Sequence, residues 1–80
     1  MYVVIQDFYT EDAGYYLEVR LITDNLLKAK LKFDEIVKTC RETDQTEGWT
    51  VQDDTENYYF SYRKQPEYCR VQITMGVKED

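Results

Sequence analysis

The sequence predicts an α+β fold, a small antiparallel sheet with one helix packed on one face. Three observations predict it. Apolar and polar residues alternate with a period of two over residues 15–22, 27–33, 58–63 and 69–77, which is a strand pattern. Polar clusters containing Gly, Pro, Asn or Asp separate most of those runs at turn spacing. Residues 34–41 carry Ile36, Val37 and Cys40, the i, i+1, i+4 stripe of a short helix. At 80 residues the chain supports one domain, residues 1–80, with one modest core.

Residues 2–9, rich in Val, Ile and aromatics, read as the first strand. Residues 10–14 form a turn in which Gly14 is free to take positive φ. Two readings compete for residues 15–42. In the preferred one, residues 23–25 close a hairpin and Ile22 faces Leu26. Tyr15, Leu17, Val19 and Leu21 then stand opposite Phe33, Leu31, Ala29 and Leu27, and Glu18 meets Lys30 as a cross-strand ion pair. Asp34 caps a helix that carries Glu35 in its first turn and Lys38 and Arg41 near its end, giving the order βββ-α-βββ.

In the second reading, Leu26, Ala29, Phe33, Ile36, Val37 and Cys40 share an arc of about 100° on one helix over residues 25–42. Leu, Lys and Ala are strong helix formers, residues 27–33 contain no β-branched side chain, and the order becomes ββ-α-βββ. Against it, Leu27 and Leu31 fall off the apolar face, and Lys28 and Lys30 crowd the positive end of the helix dipole. Either order is α+β.

The helix stops within residues 43–48, where Gly48 is the natural breaker. Residues 49–53 begin the second sheet region, with Trp49 and Val51 on one face. A polar turn at 53–57 leads to a strand at 58–63 whose inner face is Tyr58, Phe60 and Tyr62. Residues 65–67, holding the only proline, turn the chain into its cleanest strand. There Cys69, Val71, Ile73, Met75 and Val77 face in, while Arg70, Gln72 and Thr74 face out. Lys78, Glu79 and Asp80 form a polar tail.

Ten Lys and Arg against 16 Asp and Glu give a net charge of −6, which repels phosphate and argues against a direct nucleic-acid binder. No apolar run approaches the roughly 18 residues a membrane span needs, and residues 1–7 lack the features of a signal peptide. The expected setting is cytoplasmic. Cys40 and Cys69 form no metal or C-x-x-C spacing, and both occupy apolar positions, so reduced core thiols are expected.

Chemistry is sparse. There is no histidine, and Ser61 is the only serine, so Ser-His and Cys-His nucleophile pairs cannot be built. No Gly-rich phosphate loop is present, and the run from Asp53 to Glu56 lacks the spacing of a calcium loop. The sequence therefore predicts a non-catalytic protein with no cofactor and no metal.

Charge patterning says more. Residues 42–56 carry six acids and no base: Glu42, Asp44, Glu47, Asp53, Asp54 and Glu56. They flank Trp49 in connecting segments, where binding residues concentrate. Read functionally, they form an acidic patch for a basic protein surface that otherwise holds nucleic-acid phosphate, with Trp49 and Tyr59 as anchors. Read blandly, they are a solvated face. Eight tyrosines are unusual for this length: Tyr15, Tyr58 and Tyr62 are expected in the core, and Tyr16, Tyr59 and Tyr68 on outer faces or in turns, as at binding surfaces. Lys28, Lys30 and Lys32 read as a charged outer strand face. Opposite patches on one chain also make a homodimer feasible, and the alternative function is a homo-oligomeric structural or small-ligand-sequestering protein whose copies pair through strand edges and enclose a Tyr-lined pocket.

In size, acidity and aromatic content the chain resembles the small single-domain inhibitors that viruses encode against host nucleic-acid enzymes, including anti-restriction and anti-CRISPR proteins. The resemblance implies an inhibitor that blocks a basic channel of a nucleic-acid-processing enzyme by mimicry or steric occlusion.

Overall fold

The computed structural model describes residues 1–43 and 48–75, with the side chain of residue 43 left aside. The elements are β1 (Tyr2–Thr10), β2 (Gly14–Thr23), α1 (Leu26–Thr43), β3 (Thr50–Asp54), a one-turn 3-10 helix (Thr55–Asn57), β4 (Tyr59–Lys64) and β5 (Glu67–Met75). The fold is α+β, and its order is ββ-α-βββ. All five strands form one antiparallel sheet in the order β2-β1-β5-β4-β3.

The preferred hairpin over residues 15–33 is therefore corrected: residues 26–33 are helix. Asn25 does not round a hairpin loop but caps α1, its Oδ1 accepting the Lys28 N–H at 3.2 Å while its carbonyl accepts the Ala29 N–H at 3.1 Å. Asp34 lies inside the helix, and Glu18 pairs with Arg20 at 2.9 Å rather than with Lys30. The lysines edge no strand; Lys32 reaches Glu35 at 3.6 Å along the helix. Coverage decides the matter. A helix of 18 residues is about 27 Å long and packs across β2, β1 and β5, whereas residues 34–41 alone give about 12 Å. Two lysines in the first turns cost a few tenths of a kcal/mol each, far less than burying Phe33 returns.

Ala29, Phe33, Ile36, Val37 and Cys40 pack from α1 onto Val4, Phe60, Tyr62, Cys69 and Val71 of the sheet. Both cysteines are buried at apolar positions, as expected, and the Gln6 amide donates toward both sulfurs, at 3.9 Å to Cys40 and 3.6 Å to Cys69. Leu27 and Leu31 stay on the solvent side of the helix. Tyr58 takes a left-handed backbone (φ 58°), a cost of about 1–2 kcal/mol for an aromatic residue. That conformation ends the 3-10 turn and sets the Tyr58 ring edge-on to Phe33, centroids 6.2 Å apart.

A β-bulge sorts β2. Val4 pairs with Leu21 but Ile5 pairs with Val19, so Arg20 is the extra residue. Leu21 faces the helix with Val4, while Val19, Leu17 and Tyr15 turn to the opposite side with Ile5, Asp7 and Tyr9. The alternation that places Tyr15, Leu17, Val19 and Leu21 on one face is broken at that point, and Tyr15 is exposed rather than in the core. Met75, expected to face in, is also exposed. Val77 and the tail at 78–80 lie outside the described residues.

Helix and hairpin separate cleanly by mutation. Phe33→Ala is expected to cost about 3–5 kcal/mol in urea unfolding, whereas Leu31→Ala, at 61% exposure, changes stability by less than about 0.5 kcal/mol. The hairpin register would make both expensive.

Candidate functional site

The helix covers one face of the sheet, and among the described residues no element packs over the other, the free face. Strand register writes out its surface. Across the middle from β3 to β2 run Gln52, Ser61, Arg70, Asp7 and Leu17. The row toward the β4–β5 turn is Thr50, Arg63, Tyr68, Tyr9 and Tyr15; the row on the other side is Asp54, Tyr59, Gln72, Ile5 and Val19. The β2 end is apolar, with Leu17, Val19 and Ile22 at 45%, 54% and 58% exposure. The β3–β4 end is polar and carries Arg63, with Arg70 next to it on β5.

Asp7 holds the centre. An acid inside an apolar strand must find a partner, and Asp7 is only 1% exposed. The Arg70 guanidinium, directly opposite on β5, donates Nε to Oδ1 at 2.9 Å and Nη2 to Oδ2, a bidentate pair. The Tyr15 hydroxyl donates to Oδ2 at 3.2 Å. Desolvation first, and then the Asp7 carboxylate, push the Tyr15 phenol above its ordinary value. Asp7, through its hydrogen bond, likewise holds Arg70 well above the usual guanidinium range. Tyr9 and Tyr68 stack beside this cluster, centroids 6.2 Å apart and 19° from parallel.

The acidic segment is arranged differently. Glu42 is exposed in the last part of α1, 4.0 Å from Lys38. Asp53 faces the helix side and is engaged by Arg41, whose guanidinium also lies 5.1 Å above the Phe60 ring. Asp54 is half-buried on the free-face side and accepts the Asn57 amide at 3.0 Å. Glu56 is exposed on the 3-10 turn. Asp34, Lys38, Arg41, Glu42 and Thr55 share one shallow depression, so the helix end and the β3–β4 turn meet there. Asp44 and Glu47 lie outside the described residues.

The two proposed anchors do not join that region. Trp49 is half-buried against the helix-side core, its ring 5.6 Å from Tyr62 in an edge-on contact. Tyr59 lies on the free face, so Trp49 and Tyr59 sit on opposite sides of the sheet. One flat partner surface cannot meet both. Among the described residues no group of three or more His, Cys, Asp or Glu is placed to hold a metal ion, and no helix is long and apolar enough to cross a membrane.

No known protein family, characterised protein or solved structure matches this chain. Its function has to be read from its own surfaces.

Sequence reasoning missed the Asp7–Arg70–Tyr15 cluster. One signal for it existed: Asp7 is the only charged residue in the first strand. The partner, 63 positions away, needed the strand order.

The pair is expected to respond asymmetrically. Arg70→Ala strands a buried carboxylate and costs about 3–5 kcal/mol; Asp7→Ala leaves a guanidinium that water can reach, costing about 1–2 kcal/mol. The double leucine variant recovers most of the larger loss, as read by urea denaturation.

The pH response has a definite sign. Because the folded pKa of Tyr15 is raised, its contribution to stability is complete below the unfolded value of about 10 and is lost as pH rises through the folded value. Absorbance difference titration of wild type against Tyr15→Phe is expected to show the Tyr15 phenolate appearing only above about pH 10.

Proposed function

We propose that the protein is a non-catalytic protein-binding module, an inhibitor that covers a basic surface on a nucleic-acid-processing partner. The observation that carries this reading is the meeting of the helix end with the β3–β4 turn. It gathers Asp34, Glu42 and Asp53 about Lys38 and Arg41, with Glu56 on the adjoining 3-10 turn, in a chain whose net charge is −6. Such a surface speeds encounter with a basic partner and repels nucleic acid itself. Glu42 and Glu56 make the contacts, with Asp54 at the sheet edge and Asp44 and Glu47 in the adjoining segment. Asp53 serves the fold through Arg41 and is not a contact residue. Blocking a basic channel is also the action implied by the resemblance to small viral inhibitors.

A second reading, a homo-oligomer, is favoured by one specific observation: Tyr15, Leu17, Val19 and Ile22 are all exposed on the β2 end of the free face. Joining through the β2 edge itself is opposed by the bulge at Arg20 and by the Glu18–Arg20 pair, both of which discourage strand addition. Copies would have to meet face to face.

Capture of the partner from the native cell, eluted by salt, tests the first reading. Binding is expected to weaken steeply with ionic strength, and the joint variant Glu42→Gln, Asp44→Asn, Glu47→Gln, Asp54→Asn, Glu56→Gln is expected to lose it at least about ten-fold. Undiminished capture by that variant overturns the acidic mechanism. Light scattering tests the second reading: a dimer that Leu17→Glu dissociates supports it, and a monomer at high concentration removes it.

A further inference from the structure

Ser61 is the only serine in the chain, and it sits at the centre of a block of larger side chains on the free face. Tyr59 and Arg63 flank it along β4, Gln52 and Arg70 flank it across β3 and β5, and Thr50 and Tyr68 stand at the corners. A short side chain surrounded by long ones leaves a notch. Its volume is about 420 Å³, within the range of small-ligand sites.

We propose that this notch binds a small planar anion, an aromatic or heteroaromatic ring carrying one carboxylate or phosphate group. The chemistry of the lining selects that class. Arg63 has no ion-pair partner among the described residues, although the chain holds 16 acids. Arg70, its diagonal neighbour across β4 and β5, is neutralised by Asp7. The notch therefore offers one guanidinium that no ion pair engages among the described residues, with a fork that matches a carboxylate or a phosphate. Glu67 also lines the notch, and its carboxylate accepts the Glu11 N–H at 3.2 Å. Tyr59 at one end and Tyr68 beside Arg63 supply aromatic surface for a ring, while the Ser61 hydroxyl and Gln52 amide supply hydrogen bonds. The net charge of −6 selects against a polyanion and leaves a single anionic group as the best fit.

This site is on the opposite side of the sheet from α1, so it stands or falls independently of the acidic surface. The test is an amide NMR titration of the intact chain with adenosine monophosphate and with 4-hydroxybenzoate, using inorganic phosphate as the ringless probe. At least one ringed anion is expected to shift resonances confined to residues 50–52, 59–63 and 65–70, and which of the two binds distinguishes phosphate from carboxylate. Arg63→Ala is expected to weaken binding about ten-fold or more, the loss of a charge-assisted pair. Ser61→Leu fills the notch without altering charge and is expected to abolish binding, with the spectral fingerprint of the fold retained. Lys30→Ala, on the helix, is expected to leave the affinity unchanged. The proposal is overturned if neither ringed anion gives localised shifts at millimolar concentration, if Arg63→Ala binds as well as wild type, or if inorganic phosphate binds as tightly as the ringed probes.

Discussion

A five-stranded sheet served by one helix governs the rest of this structure. α1 can seal only one face, and Phe33, fully buried among Val4, Phe60 and Val71, is the centre of that seal. The need for coverage turns residues 26–33 into helix against their own alternation. It also leaves the second face to solve its problems without a core. The Asp7–Arg70 pair is that solution: two charges on adjacent strands answer each other, with the Tyr15 hydroxyl as a third partner. Replacing such a pair by apolar residues need not cost stability, so its value lies in fixing the pairing of β1 with β5.

The bulge at Arg20 divides the free face. It sends Leu21 into the core and leaves Leu17 and Val19 outside, which makes the β2 end apolar and its edge a poor template for strand addition. The β3–β4 end is instead built of Arg63, Ser61, Gln52 and tyrosines. Acids gather on another side, where α1 reaches the β3–β4 turn through Arg41 and Asp53. One small domain thus presents acids at the helix end, and on the other side an apolar sheet end and a notch carrying Arg63, both left open because α1 covers the opposite face.

Much of this was legible in the sequence. Richness in Val, Ile and aromatics located β1, period-two alternation located β4 and β5, Gly14 marked the first turn, and the apolar arc of the helix was visible from Leu26 to Cys40. The choice between hairpin and helix was not, because Leu27 and Leu31 fit a strand face and the deciding factor was coverage of a sheet whose strand order is a long-range property. The bulge was hidden for the same reason: it exists only relative to Val4 and Ile5. The acidic segment was visible as composition, yet its division was not. Asp53 is engaged by a helix residue, and Trp49 and Tyr59 point to opposite sides, which only register reveals.

Native-state hydrogen exchange of the individual sheet amides is the most direct test of a sheet sealed on one face with its β2 edge left to solvent. The slowest exchange is expected in β1 and β5, the strands flanked on both sides and packed under α1, and the outward amides of β2 are expected to exchange orders of magnitude faster. Protection along the whole of β2 equal to that of β5 would contradict this arrangement, because it would require that edge to be covered.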